Sequence, residues 1–317
     1  MEVINKGMLT TVQDAGRTGW QQYGVPVCGA MDSLSMELAN LLVGNEPGAA
    51  VLEITGLGPT LKFEENTCFA ICGADFGGKL EENPVQVGKA YYAPAGSTLA
   101  LGAAKTGFRA CIAFAGGIDL PPVMGSRATY LKGKFGGFCG RALEKGDKLP
   151  LGPCPWLFDL DKREIDPAWH KELLSQRPIR VVLGPQDSAF SARGIETFLN
   201  TEYTVTPESD RMGFRLDADA LIEYAPGRDG NIISDGIAMG AIQIPSGKPI
   251  VMMADRQTTG GYAKIANIIA CDLPRFAQKK AGDKVRFAAV TPAEARQALL
   301  RRRRALEDLA ARLGSEE

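Results

Sequence analysis

Short apolar runs, each cut off within a few residues by glycine, proline, asparagine or aspartate, recur along the whole chain. They restrict it to a fold of many brief strands. The expected strands are residues 9–12, 68–72, 98–101, 110–114, 180–183, 241–244, 249–253 and 284–290. The 37 glycines and 19 prolines suit the turns of such a chain and exceed what a helical bundle uses. Helical periodicity surfaces in only four places. Asp32 can cap a helix over 32–43, with Leu34, Leu38, Leu41 and Leu42 on one face and Gly44 beyond its end. A second pattern covers about 187–199. A third covers 262–270, where Tyr262, Ile265, Ile268 and Ile269 share a face. In the fourth, Thr291 and Glu294 form a capping box, Pro292 takes the first helical position, and Leu299, Leu306, Leu309 and Leu313 repeat at helical spacing. Strands do not alternate regularly with helices. A mainly β chain with a few helices, built as antiparallel barrels or sandwiches, fits better than a doubly wound parallel sheet.

A length of 317 residues corresponds to about two domains. Residues 150–178 differ from their surroundings. They hold Pro153, Pro155, Pro167, Pro178, Trp156, Trp169 and the charged stretch 159–164. The expected organisation is therefore an N-terminal β domain over 1–150, a linker over 151–178, a C-terminal β domain over 179–290 and a helix over 291–317. Lys145-Gly146-Asp147-Lys148-Leu149 is echoed by Ala281-Gly282-Asp283-Lys284-Val285, which is either the trace of a duplication or a common turn met twice. With 36 Lys+Arg against 37 Asp+Glu the net charge is −1, which argues against a chain-wide nucleic-acid binder. No window approaches ~18 consecutive apolar residues, so no membrane span is expected. The first residues show no secretory pattern, and the expected location is the cytoplasm. The seven cysteines form no CxxC pair and His170 is the only histidine, so no metal site is expected. Reduced thiols, several of them buried, are the expected state.

Polar residues cluster in two regions. In the second half, Ser209-Asp210-Arg211-Met212-Gly213 is followed by Ser234-Asp235-Gly236-Ile237 and by Asp255-Arg256-Gln257-Thr258-Thr259-Gly260-Gly261-Tyr262. The last string leaves an apolar strand and is expected to enter a helix. Arg256 offers a planar fork for a carboxylate or phosphate, and the helix N-terminus would offer free N–H groups to an anion. Either this is a binding loop, or Asp255 and Arg256 form a buried network that holds a turn. In the first half, Gln13, Asp14 and Arg17 lead to Gly29-Ala30-Met31-Asp32 and then to Glu53. Asp14 and Arg17 either pair across a turn or face a ligand. Glu53 sits in an apolar strand; either it is buried and a candidate acid/base, or the strand turns it outward. The glycines of 132–140, with Lys132 and Lys134, lack the GxxxxGK[ST] order and make either a flexible anion loop or a plain turn. Arg301–Arg304 read as an ion-paired helix face, with Arg303 four residues before Glu307 and Arg304 four before Asp308, or as a docking surface.

The strings TTVQDAGRTGWQQYGVPVCGAMD, LEITGLGPTL, ICGAD, RACIAFAGGI, SDRMGFRL, ISDGIAMGAIQIPSGKPIVMMADRQTTGGYAKIANIIACDL and AGDKVRF resemble the allophanate hydrolase subunit 2 family, also labelled the biotin-dependent carboxyltransferase family. The resemblance covers about residues 1–290. It implies two cyclophilin-like β-barrel domains. It also implies a subunit of an ATP-dependent complex that hydrolyses 5-oxoproline to L-glutamate, with A-like and B-like partner subunits. Other family roles are KipA-type regulatory binding, which antagonises a kinase inhibitor, and the carboxyltransferase step of a urea-carboxylase-like system. ATP is expected to bind through the complex. Biotin is not expected on this chain, because Lys6, Lys79 and Lys264 lack the neighbours of a biotinylation site. Lactam hydrolysis needs placed acid/base groups and a cation for phosphate or substrate carboxylate. The candidates are Asp235, Asp255 and Glu53 for catalysis. For binding they are Arg211, Arg256, Gln257, Thr258, Thr259, Tyr262, Gln13, Asp14 and Arg17.

Overall fold

The computed structural model describes residues 1–154 and 157–314. The chain is mainly β with a few helices, and it divides into two compact units. One holds Met1–Arg17, Cys28–Ser175 and the chain from Arg304; the other holds Thr18–Val27 and Gln176–Arg303. None of the described helices is long and apolar enough to cross a membrane.

The first unit contains two five-stranded antiparallel sheets. One runs in the order Leu9–Gln13, Val51–Thr55, Thr106–Phe114, Thr67–Asp75, Ala90–Ala93. Its strands alternate large and small residues with the two-residue period of a pleat. Leu52, Ile54, Phe69, Ile71, Ile112 and Phe114 enter the core that this sheet shares with Val3, Leu61 and Leu99 of the other sheet. Cys68, Ala70, Cys72, Cys111 and Ala113 face the opposite way, toward Leu34, Leu38 and Leu42 of the helix Ser33–Leu42. Small side chains there let the helix approach closely. Asp32 caps it by accepting from Ser35 N at 2.9 Å, as the sequence predicts. Residues 157–175 are not bare chain. They carry the helices Leu157–Leu160 and Ala168–Leu173, and Leu160, Ile165 and Leu173 join the same core as Leu309 and Leu313 of the terminal helix.

The second unit is built on one eight-stranded sheet. Its order is Lys284–Val285, Tyr203–Val205, Gly213–Asp217, Ile250–Met252, Ala241–Gln243, Lys264–Ile268, Ile179–Leu183, Phe287–Ala289. The strands at its two ends are consecutive in sequence, with Arg286 alone between them. The sheet must therefore curl until its edges nearly meet, which makes a barrel. A separate two-stranded ribbon pairs Asn231–Gly236 with Thr259–Tyr262.

Two helices differ from expectation. Residues 262–270 form no helix; they complete the strand Thr259–Tyr262 and make the strand Lys264–Ile268. That second strand lies between two others and is almost wholly buried, so its apolar run is nearly continuous and fits a helical period as well as a strand's. The 187–199 pattern breaks into a 3-10 turn, Asp187–Ala189, and a helix, Ala192–Asn200, restarted by a Ser191 cap. The Thr291–Glu294 capping box forms as expected, at the start of Pro292–Gly314. Arg302 donates to the Cys271 carbonyl, and among the described residues no ion pair joins Arg303 to Glu307 or Arg304 to Asp308.

The Gly-Asp echo is one structure made twice. Gly146 N donates to Val3 O at 2.7 Å and Val3 N to Asp147 O at 2.9 Å; Gly282 N donates to Val205 O and Val205 N to Asp283 O, both at 2.9 Å. Each aspartate also accepts from the backbone N–H three residues earlier, Glu144 or Lys280. Gly146 and Gly282 have φ of 90° and 89°, which glycine alone adopts without cost. Arg141 adds a two-pronged pair to Asp147, at 2.6 and 2.8 Å, and holds its carboxyl below the usual range. A carboxylate with a depressed folded-state pKa stabilises above its unfolded value and loses that contribution as pH falls through the folded one. Asp147→Asn is expected to cost about 1 kcal/mol in urea unfolding at neutral pH, with the difference from wild type shrinking as pH falls below the ordinary aspartate range. An unchanged difference across that range removes the ion pair from the account.

Candidate functional site

In the first unit, Glu53 lies at the middle of the strand Val51–Thr55, between Thr11 and Cys111 on the neighbouring strands. It is 2% exposed, so the inward alternative holds. Its Oε2 accepts from Met31 N at 2.6 Å, which ties the Gly29-Ala30-Met31-Asp32 turn to the sheet. Gly29 is required there: at φ 84°, a Cβ would lie 2.9 Å from both the Asp14 carbonyl oxygen and Gly16 N. Asp14 does not pair with Arg17. Its carboxylate accepts from Gly16 N, Ser126 Oγ and Arg127 N, so it organises two loops at once.

Arg17 is 1% exposed. Its guanidinium sits 5.0 Å over the Phe135 ring, and Nη2 donates to the Ala128 carbonyl. Nε and Nη1 are buried without a hydrogen-bond partner among the described residues. Gln13 lies in the same loop system. Its Nε2 donates to Thr11 Oγ1 and Thr129 O, each at 3.1 Å, while its Oε1 has no partner among the described residues. The glycine-rich 132–140 loop packs directly on this group, since a Cβ at Gly136 would meet Arg17 Nη2 at 2.5 Å. A buried cation with two unused donors is costly unless an anion meets it. The arrangement suits a carboxylate or phosphate oxygen.

In the second unit, Arg211 and Asp255 form a buried two-pronged pair, Nε to Oδ2 at 3.0 Å and Nη2 to Oδ1 at 2.9 Å. Asp255 N also donates to the Arg211 carbonyl, so the pair fastens the chain after Ile250–Met252 to the chain before Gly213–Asp217. The expected Asp255–Arg256 pairing is replaced by this one. Arg256 turns its fork on main-chain carbonyls, Ile237 O at 2.9 Å and Met253 O at 3.2 Å. The string beyond it continues into a strand rather than a helix, so the expected helix-terminus anion site is not formed. Thr258 accepts from Ile237 N through its carbonyl, and Gln257 approaches Gly260. Thr259 and Tyr262 lie exposed on the ribbon.

The same ribbon carries Asp235, which is exposed. Its Oδ2 accepts from Lys264 Nζ at 2.9 Å and from Gln186 Nε2 at 3.4 Å, and its Oδ1 from Gly236 N at 2.7 Å. Lys264 is itself buried, and Gln186 Oε1 accepts from its backbone N–H. The Lys264 ammonium is the main reason that the Asp235 carboxyl is held below its ordinary range, and Asp235 is ionised at neutral pH. The geometry thus presents a fixed carboxylate to solvent, backed by a buried cation. The sequence alone brings Lys264 forward only as a lysine whose neighbours do not make a biotinylation site. The signal for its pairing is a lone lysine in an apolar run, a position that lysine takes only when partnered. Gln186 carries no such signal.

The matching family model is that of the carboxyltransferase domain, subdomain A and B, over residues 23–289. The chain is 40% identical to the C subunit of 5-oxoprolinase from Escherichia coli, over 100% of this chain and 99% of that protein. It is 34% identical to the Haemophilus influenzae protein of the same name, over 96% and 94%. The crystal structure of Kluyveromyces lactis urea carboxylase superposes with a TM-score of 0.90 at 30% identity; the match covers 97% of this chain but 29% of that one. A family match over most of the chain, with relatives of this similarity and extent, shows that the chain belongs to the family of carboxyltransferase domains built from subdomains A and B.

Proposed function

We propose that this chain is a subunit of an ATP-dependent 5-oxoprolinase complex that hydrolyses 5-oxo-L-proline to L-glutamate. The observation that carries the reading is the end-to-end match, in both directions, with the C subunit of E. coli 5-oxoprolinase. The complex contains A-like and B-like partner subunits and works in the cytoplasm. A five-membered lactam is a stable amide, and ATP supplies the phosphoryl group that makes its carbonyl carbon electrophilic. ATP binds through the complex, on another subunit or at a shared interface.

The chain's own residues serve the substrate. Arg17 anchors the 132–140 loop within the first unit. Glu53 holds the turn that contains Met31, and Asp235 is the proton acceptor, kept ionised by Lys264. Arg211–Asp255 and Arg256 hold the strand ends in place. The likeness to urea carboxylase favours a second reading, a carboxyltransferase component, because the superposition extends over 97% of this chain.

The deciding assay is glutamate release from 5-oxoproline and ATP by this chain co-expressed with candidate A and B subunits, against the same mixture without it. Release that requires the chain supports the proposal. A stable complex that releases no glutamate, and whose carboxyl transfer is stopped by avidin, supports the second reading instead.

Asp235→Asn is expected to lower kcat by about 100-fold. Lys264→Met removes the cation that depresses the Asp235 pKa, so the acid limb of the rate profile moves to higher pH. An unmoved limb means that another group is the base.

A further inference from the structure

A cleft of about 300 Å³ opens in the first unit against the strand Thr67–Asp75, residues 85–88 and the helix Ala168–Leu173. Its walls are mainly apolar, formed by Leu38, Val85, Val87, Ile165, Trp169 and Leu173. None of these residues belongs to the candidate site above. The volume suits a single ring or a branched chain of similar size. Beside the polar Ser35 and Gln86, three titratable side chains define its chemistry. Asp75 uses Oδ1 to accept from Gly77 N at 2.7 Å, and its Oδ2 has no hydrogen-bond partner among the described residues. Asp166 adds a second carboxylate, engaged through Oδ1 with Ala168 N at 2.8 Å. Among the described lining residues there is no lysine or arginine.

His170 is the third. Its ring bonds to the Gly73 carbonyl, and burial pushes its pKa below the ordinary value, so it is neutral at pH 7. Its Nδ1 is buried without a hydrogen-bond partner among the described residues, which leaves an acceptor for a donor entering the cleft. The cleft therefore combines apolar walls, carboxylates without a balancing cation, and an unused neutral acceptor.

We propose that this cleft binds a small organic cation, an amine carried on an aromatic or branched aliphatic body. The body lies against Trp169 and Ile165, and the ammonium reaches Asp75. Opposite charge and hydrogen bonding favour that ligand, while an anion of the same shape is repelled by Asp75 and Asp166.

The test is calorimetric titration of the full chain at about pH 7.5 with phenethylamine, 2-phenylethanol and phenylacetate, which share one body and differ in charge. Saturable binding of phenethylamine is expected, with phenylacetate weaker by about tenfold or more. Asp75→Asn keeps an oxygen for Gly77 and is expected to bring the three compounds within about threefold of one another. Val87→Trp fills the cleft from a partly exposed wall and is expected to abolish binding. No saturable binding, equal binding of all three compounds by the wild-type chain, or phenethylamine binding unchanged in Val87→Trp overturns the proposal. Each variant is checked by circular dichroism, and the wild-type selectivity alone decides if neither folds.

Discussion

A sheet covered on both sides has to sort its side chains by size, and much of the first unit follows from that requirement. Phe69, Ile71, Ile112 and Phe114 fill the space between the two sheets. The positions between them, Cys68, Ala70, Cys72, Cys111 and Ala113, are small because a helix lies across them. A slip of one residue would exchange the two sets, forcing phenyl rings under the helix and leaving the core half empty. Register is thus fixed by volume. This also accounts for cysteines in the middle of strands without disulfides. All are free thiols, and burial pushes Cys68 up to about 12, so there they act as small apolar side chains.

The same register places Glu53. It occupies the position that Val51 and Leu52 surround with apolar groups, and a carboxylate there must be met by donors. The Met31 N–H is one of them, so the sheet dictates where the 28–32 turn is held. Asp14 acts similarly from the neighbouring strand end, accepting from both the 16 and 126–127 loops. Rigid strands carry these acidic residues, and loops are drawn onto them. Arg17 follows directly from that loop system.

The large features of the fold are legible in the sequence because they depend on local rules: brief strands, capped helices, glycine at left-handed turns. The strand Lys264–Ile268 is not, since burial on both faces removes the alternation that marks a strand. Reading it as a helix carries a second error with it, the anion site expected after Arg256. The site residues are legible as a list and not as pairs. Sequence proximity suggests Asp14 with Arg17 and Asp255 with Arg256. In the structure Asp255 instead meets Arg211, 44 residues away, and Asp14 meets Ser126, 112 away. Partners at such distances are set by sheet topology, which local spacing does not encode. Lys264 escapes notice for the same reason, its meaning residing in Asp235 on another strand.

Pairing also separates structural charges from chemical ones. Arg211 and Asp255 satisfy each other in a buried, two-pronged geometry, and Arg256 is tied to the Met253 carbonyl of its own turn and to the Ile237 carbonyl 19 residues away. Such groups make the strand ends rigid and have little left to offer a ligand. Arg17 has the opposite character, since it is buried deeper than any of these and still has two donors unused among the described residues. Asp235 differs in another way. Its lysine lies beneath the surface, so the carboxylate keeps its charge while facing solvent. An orphaned buried guanidinium costs stability rather than adding to it. Arg17 and Asp235 therefore stand, each within its own unit, as charges with capacity left for a ligand.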